Sequence, residues 1–341
     1  MILVRVLGGA RAFLLAARPQ YQAVSTPKRH HFLPVCYLNG FSGDDGKVCL
    51  FDRESGDYRA QFPVACGYEK YLYSLVLPDG TKDAHLEAKF CAIESEFPKV
   101  RDCLESGNIP SGDELGALLA FVALQLFRVP ATLRDIHELG SLALSKHLDS
   151  AMSDEDSADE FFAELFGPNS PEAAMPLDDK KALVKEMDCA YPRRNAALRM
   201  MFESMGQAYK LLSQKSVVTV FHAPQGRAFI TSDRPVLIRK PSRNLLGLGG
   251  LLGPGSIATL PVSSQVAVSV SDGSRVAIRH SELSRDKVAQ LNYGEARTSY
   301  RLLAGNSEQR LRTVVEKGKI LGQPRLRSIS PGKQPDEKNA S

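Results

Sequence analysis

The spacing of apolar positions changes period twice along the chain, and each change marks a different kind of element. Lys47 to Arg53 and Asp57 to Phe62 alternate in the strand manner about the turn Glu54-Ser55-Gly56, which predicts an antiparallel hairpin. From Ala84 the spacing becomes helical. Leu86, Phe90, Ile93 and Phe97 share a stripe, and Glu87 and Glu94 are seven apart, so both are available to one face. Gly112-Asp113 opens a second helix, Glu114 to Arg128, apolar nearly all round and therefore buried; Val129-Pro130 closes it, because the residue before proline avoids the helical region.

Helices are expected again at 131–147 and 153–166, the latter capped by Ser153, followed by a loop from Gly167 to Pro176. Asn195 to Gln214 carries Leu198, Met201, Phe202, Met205, Tyr209 and Leu212 on one stripe. Beyond Lys215 the pattern returns to strands, expected at 217–221, 227–231, 236–239, 258–261, 265–270 and 275–279. Ser284 caps a helix reaching about Leu303, and Glu308 to Lys317 adds another turn or two. The fold class expected is α+β: an N-terminal β-hairpin, a helical middle over about 84–214, and a C-terminal, mostly antiparallel sheet over about 215–280 followed by a helix. Residues 28–305 are expected to form a single domain, flanked by a disordered extension at 1–27 and, over 306–341, a short helix and a disordered basic tail.

Composition narrows the classes of function. With 43% hydrophobic and 24% charged residues, the 341-residue chain is neither fibrous nor wholly disordered. The net charge of +4 lies at the ends; residues 44–305 hold 30 basic against 35 acidic side chains. That slightly acidic body does not indicate nucleic acid as a partner. Six cysteines without a C-x-x-C pair read as reduced thiols, and the longest apolar run, Leu118 to Phe127, is too short for a membrane span. A soluble, cytoplasmic protein is expected. Gly247, Gly249, Gly250 and Gly253 do not make a phosphate loop, because the spacing is wrong and Pro254 follows where a helix should start.

The densest group of unusual residues runs from His30 to Phe41. His31, Pro34, Tyr37, Leu38 and Phe41 make an opening that resembles the bacterial domain of unknown function family 4238 (DUF4238). Further matches follow in order: Ile93-Glu94, Gln125 with Arg128, Thr231-Ser232-Asp233-Arg234-Pro235, Leu260-Pro261 and Leu291-Asn292, so the resemblance spans about residues 30–303. Arg234 stands where such proteins often have asparagine. The resemblance implies a fold envelope and a set of candidate residues, and no activity.

Among the candidates, His31 can ligate a metal or move a proton near neutral pH, while His30 beside it points the other way in an extended segment and is expected to face solvent. Asp233 sits at the end of a predicted strand, where a rigid scaffold aims a carboxylate, although Asp before Arg-Pro is also an ordinary turn-former. Glu94 is expected to be exposed or paired with a base such as Arg128. Gln125 and Arg128, three apart, share a helix face as an anion or amide clamp, unless Arg128 merely serves the helix terminus.

Two functions follow. In one, the chain binds an anionic ligand or a partner through His31, Arg128 and Asp233, with Gln125, Ser232 and Arg234 as further ligand-binding residues and Arg239 as an added cation. In the other, His31, Glu94 and Asp233 are catalytic and hold a divalent cation for phosphodiesterase- or nuclease-like hydrolysis.

Overall fold

A computed structural model describes residues 28–77, 81–190, 193–215, 217–239, 252–274 and 277–321. The expected extension at 1–27, the tail from Gln323 and the glycines Gly247, Gly249 and Gly250 lie outside them. The described chain begins with β1 (Arg29–His31), α1 (Val35–Leu38), β2 (Val48–Asp52), β3 (Tyr58–Gln61), β4 (Tyr68–Lys70), β5 (Leu75–Val76) and β6 (Lys82–Asp83). Six helices follow: α2 (His85–Glu105), α3 (Gly112–Phe127), α4 (Pro130–Ala151), α5 (Glu155–Phe166), α6 (Leu177–Ala190) and α7 (Arg193–Ser213). The last part is β7 (Val217–His222), β8 (Thr231–Ser232), β9 (Leu237–Arg239), β10 (Ile257–Pro261), β11 (Val266–Ser271), β12 (Ala277–Glu282), α8 (Arg285–Thr298), β13 (Leu302–Gly305) and α9 (Glu308–Lys317).

The mixed α+β class and its order hold, with N-terminal strands, a helical middle and a late sheet. That sheet has the order β12-β7-β11-β10-β9 and is antiparallel except for the β12–β7 pair. A second, four-stranded sheet, β3-β2-β13-β8, joins the early hairpin to the end of the chain: Asp52 lies opposite Leu302, and Ala304 opposite Thr231.

Several expectations are corrected here. The helix expected to reach Leu303 ends at Thr298, and Leu302–Gly305 forms the buried centre of the second sheet. Of the expected 227–231 strand only Thr231 lies in a strand, β8, which runs on to Ser232. Helix α6 was not expected, because its sequence is rich in charge and short of apolar positions. Asp154, not Ser153, caps α5: its carboxylate accepts the Ser157 N–H at 2.8 Å, while Ser153 donates to Asp154.

Helix α3 starts with a capping box, in which Ser111 Oγ accepts from the Glu114 N–H and the Glu114 side chain accepts from the Ser111 N–H. It runs through the core between α2 and α7, and Leu118, Phe121, Val122, Leu124 and Gln125 are all shut off from solvent. The largest apolar cluster draws on residues from Phe32 to Ala304, so strands and helices share one interior. Among the described residues, no single helix is long and apolar enough to cross a membrane.

The N-terminal segment is held by close backbone approach at two glycines. Gly67, at φ +68°, accepts the N–H groups of Phe32 and Leu33, and a side chain there would come within 2.9 Å of Leu33 Cβ. Gly40 accepts the Ser264 N–H at 2.7 Å, with Ser263 3.0 Å from where a Cβ would stand. Between these points Tyr37, fully buried, donates its hydroxyl to the Pro261 carbonyl at 2.7 Å and pairs with Thr231 Oγ1 at 2.8 Å.

Candidate functional site

The candidate residues fall into two networks on different elements. The first is centred on Arg128, which ends α3 with its N–H on the Leu124 carbonyl. Its guanidinium is completely buried. One Nη donates to Glu94 Oε1 at 2.5 Å and the other to the carbonyl oxygen of His31, and Cζ lies 5.2 Å from the Phe90 ring centre and 5.5 Å from that of Tyr73. Tyr73 in turn donates its hydroxyl to the Arg128 carbonyl at 2.6 Å. Arg128 therefore binds together β1, α2, α3 and the turn after β4, and its charge is met by Glu94, which is itself 19% exposed.

His30 is the inward residue of β1, contrary to expectation. It is fully buried against Tyr73, and its Nδ1 accepts the Tyr73 N–H at 3.0 Å. The short two-stranded pairing of β1 with β4 leaves its facing to be decided by what packs on it, here Tyr73 and α2. With Nδ1 an acceptor, His30 cannot share a proton through that nitrogen with Glu87, whose Oε2 stands 4.0 Å away without a hydrogen bond. Burial raises the Glu87 carboxyl to about 7; Arg128 opposes the rise and Glu94 adds to it. His31, half-buried, faces the Val64 carbonyl at 3.3 Å and the edge of Tyr68. Burial lowers its pKa, and the positive charge of Arg128 adds to that.

Gln125 does not join Arg128 in a clamp. Its amide is fully buried, and among the described residues neither its oxygen nor its nitrogen has a hydrogen-bond partner.

The second network surrounds the end of β8. Asp233 accepts three backbone N–H groups, from Tyr300 at 2.8 Å, Arg301 at 2.6 Å and Leu302 at 3.0 Å, so its carboxylate ties the 232–234 turn to the start of β13. Burial raises its pKa against the pull of those three donors. Ser232 donates to Glu295 Oε2 at 2.8 Å and accepts the Arg234 N–H at 3.1 Å. Glu295, fully buried on α8, is held well above the ordinary carboxylate range by burial, with the Ser232 bond opposing and Asp233 adding to the rise. Arg234 pairs with Asp135 of α4 at 3.0 Å, both side chains partly exposed. Next to Asp135, Arg134 lies 4.6 Å from the centre of the Tyr300 ring and has no ion-pair partner among the described residues.

His31, Glu94 and Asp233 are thus not brought together. His31 and Glu94 meet through Arg128, Asp233 belongs to the other network, and among the described residues no three His, Cys, Asp or Glu side chains are placed to hold a metal ion. The five described cysteines, Cys36, Cys49, Cys66, Cys91 and Cys103, are free.

Sequence reasoning missed Tyr73, Arg134, Asp135, Glu138 and Glu295 as members of these networks. A signal existed for the α4 group, since Arg134, Asp135 and Glu138 form a polar face directly after the apolar α3. Glu295 was one turn beyond Asn292, whose amide caps the Ile230 N–H and the Ala228 carbonyl.

No curated protein and no solved structure matches the chain. The model of one family does: it matches residues 29–309, the span that contains both networks and every motif that links them, and the chain belongs to that family, described as protein of unknown function (DUF4238).

Proposed function

We propose that the chain is a ligand-binding domain of the bacterial cytoplasm that recognises an anionic group where α4, the 232–234 turn and the loop before β13 meet. The observation that carries this reading is Arg134, a guanidinium placed over the Tyr300 ring with no carboxylate partner among the described residues, beside the partly exposed Arg234. A planar fork held in place by an aromatic ring loses little freedom on meeting a carboxylate or phosphate. Arg128 suits that task less well, because an anion there would have to displace Glu94 and reach a fully buried group. In this reading His31, Arg128 and Asp233 hold the scaffold, while Ser232 sets the turn from which Arg234 projects. The free thiols fit a reducing compartment.

Inorganic phosphate and acetate, titrated while the melting temperature is followed, test the reading. A ligand at a hundred times its Kd stabilises by about 2.7 kcal/mol, so a rise of several degrees is expected. Arg134→Gln and Arg234→Gln should each reduce it. A melting temperature indifferent to both anions would defeat the proposal, as would a rise that survives Arg134→Gln unchanged.

A further inference from the structure

The same region carries an unusual set of unmatched atoms. Among the described residues twelve buried side-chain atoms have no hydrogen-bond partner, and five of them belong here: Arg134 Nε, Arg234 Nε, Asp135 Oδ1, Glu138 Oε2 and Glu295 Oε1. Buried polar atoms are nearly always paired, because each one left alone forfeits its bonds to water. Five others surround the fully buried Arg128, but here the unmatched atoms belong to both arginines and to carboxylates beside a partly exposed ion pair, where a partner from solvent can reach them.

These donors and acceptors are prevented from satisfying one another. Arg134 is laid on Tyr300, Arg234 is committed through Nη2 to Asp135 Oδ2 and through its backbone to Ser232, and Glu295 has given Oε2 to Ser232. Arg134 and Glu138 are four apart on α4, and Asp135 and Glu138 three apart, so all three share one side of the helix. Two cations and two carboxylates therefore border the place together. Burial pushes the Glu295 carboxyl well above the ordinary carboxylate range, which disfavours a further negative charge beside Asp135 and Glu138.

A ligand bearing only negative charge would meet Asp135 and Glu138 as well as the arginines, and one bearing only positive charge would meet the arginines. A molecule with both ends charged satisfies the two sets at once. Its carboxylate would take the N–H groups of Arg134 and Arg234, and its ammonium would donate to Asp135 Oδ1 and Glu138 Oε2. The Arg234–Asp135 pair, partly open to solvent, is the wall through which such a molecule would enter.

We infer that this site takes a free α-amino acid, a deepening that rests on the anion-binding reading above: the clustered orphan donors of Arg134 and Arg234 and orphan acceptors of Asp135 and Glu138 complement a carboxylate and an ammonium held on one carbon.

Isothermal titration calorimetry on the full chain tests it, with each of the common L-amino acids against acetate and methylammonium, which carry the two halves of the charge separately. At least one amino acid should bind about tenfold or more tightly than either half. Glu138→Gln should weaken that amino acid about tenfold while leaving acetate unchanged, and Arg134→Gln should weaken both. If acetate binds as tightly as every amino acid, the inference fails and the anion reading stands. If methylammonium matches them, or if none of the probes binds, both fail. Should Glu138→Gln not fold, the series of probes on the parent chain still decides.

Discussion

The Arg128 network and the Arg134–Arg234 network are built from the same kinds of side chain and are closed to different degrees. Around Arg128 the guanidinium's two Nη groups are taken by Glu94 and the His31 carbonyl, and two aromatic rings cover its faces. Around Arg134 and Arg234 one carboxylate serves one of two cations, and several buried atoms on each side stay unmatched. A matched ion pair between distant elements is a fastener, whereas an unmatched one has capacity left for something else. Both networks contain residues of the family motifs, so such a motif does not by itself distinguish the two.

The comparison breaks most visibly if one arginine is removed from each network. Arg128→Met should lower stability by about 3–5 kcal/mol in urea unfolding, because it abandons a buried pair that joins β1, α2 and α3. Arg134→Met should cost under about 1 kcal/mol, as expected of a cation that has a ring contact and, among the described residues, no ion-pair partner. Equal losses would mean that the second network is also a fastener.

Asp233→Asn gauges the part of the second network that is structural. The amide keeps one acceptor oxygen for three N–H donors and carries no charge, so about 2 kcal/mol should be lost, with faster hydrogen exchange at residues 300–302. Unchanged exchange would show that the three bonds contribute little.

Glu87 is the titratable group left unmatched in the first network, beside Arg128 Nε and the Gln125 amide. Its folded pKa of about 7 lies above the ordinary 4.5, so the fold favours the protonated form. Its contribution is fully present below about 4.5 and is lost as pH rises through about 7. Glu87→Gln should therefore stabilise by about 1 kcal/mol in mildly alkaline solution, once partial exposure is allowed for, and the gain should vanish in acid. A gain that is the same at every pH would point to packing instead.

The smallest effect is that of His31. Its folded pKa is lowered, so the fold favours the neutral ring; that contribution is present above the ordinary 6.5 and is lost as pH falls through 6.5 toward the folded value. His31→Gln should flatten this part of the stability profile by a fraction of a kcal/mol, opposite in sign to the change at Glu87 over the same range. An unaltered profile would mean that the ring titrates as it does in the unfolded chain.

Much of the layout was legible because it rests on period: α2, α3, α7 and the β2–β3 hairpin announce themselves by where their apolar residues fall. The misses share a cause. Leu302–Gly305 is four small or apolar residues that suit a helix end as well as a strand, and it is pairing with β2 and β8, far away in sequence, that makes it a strand. His31, Glu94 and Arg128 were singled out as site residues, yet nothing local says that the guanidinium spends its donors on a carbonyl and a carboxylate of the same chain. His30 and His31 exchanged faces because β1 is short and paired with a single strand. Long-range pairing decides such matters, and spacing does not report it.

The β2–β13 pairing has a consequence during synthesis. Val48–Asp52 leaves the ribosome long before its partner exists, since Leu302, opposite Asp52, lies 250 positions further on. At translation rates of about 5–20 residues per second the wait is roughly ten to fifty seconds. Tyr37 waits for Thr231 and Pro261 in the same way. Over that interval the nascent chain presents an apolar leading segment and an uncovered hairpin, a state that invites chaperone binding and makes the yield of folded protein sensitive to the speed at which the last third is translated.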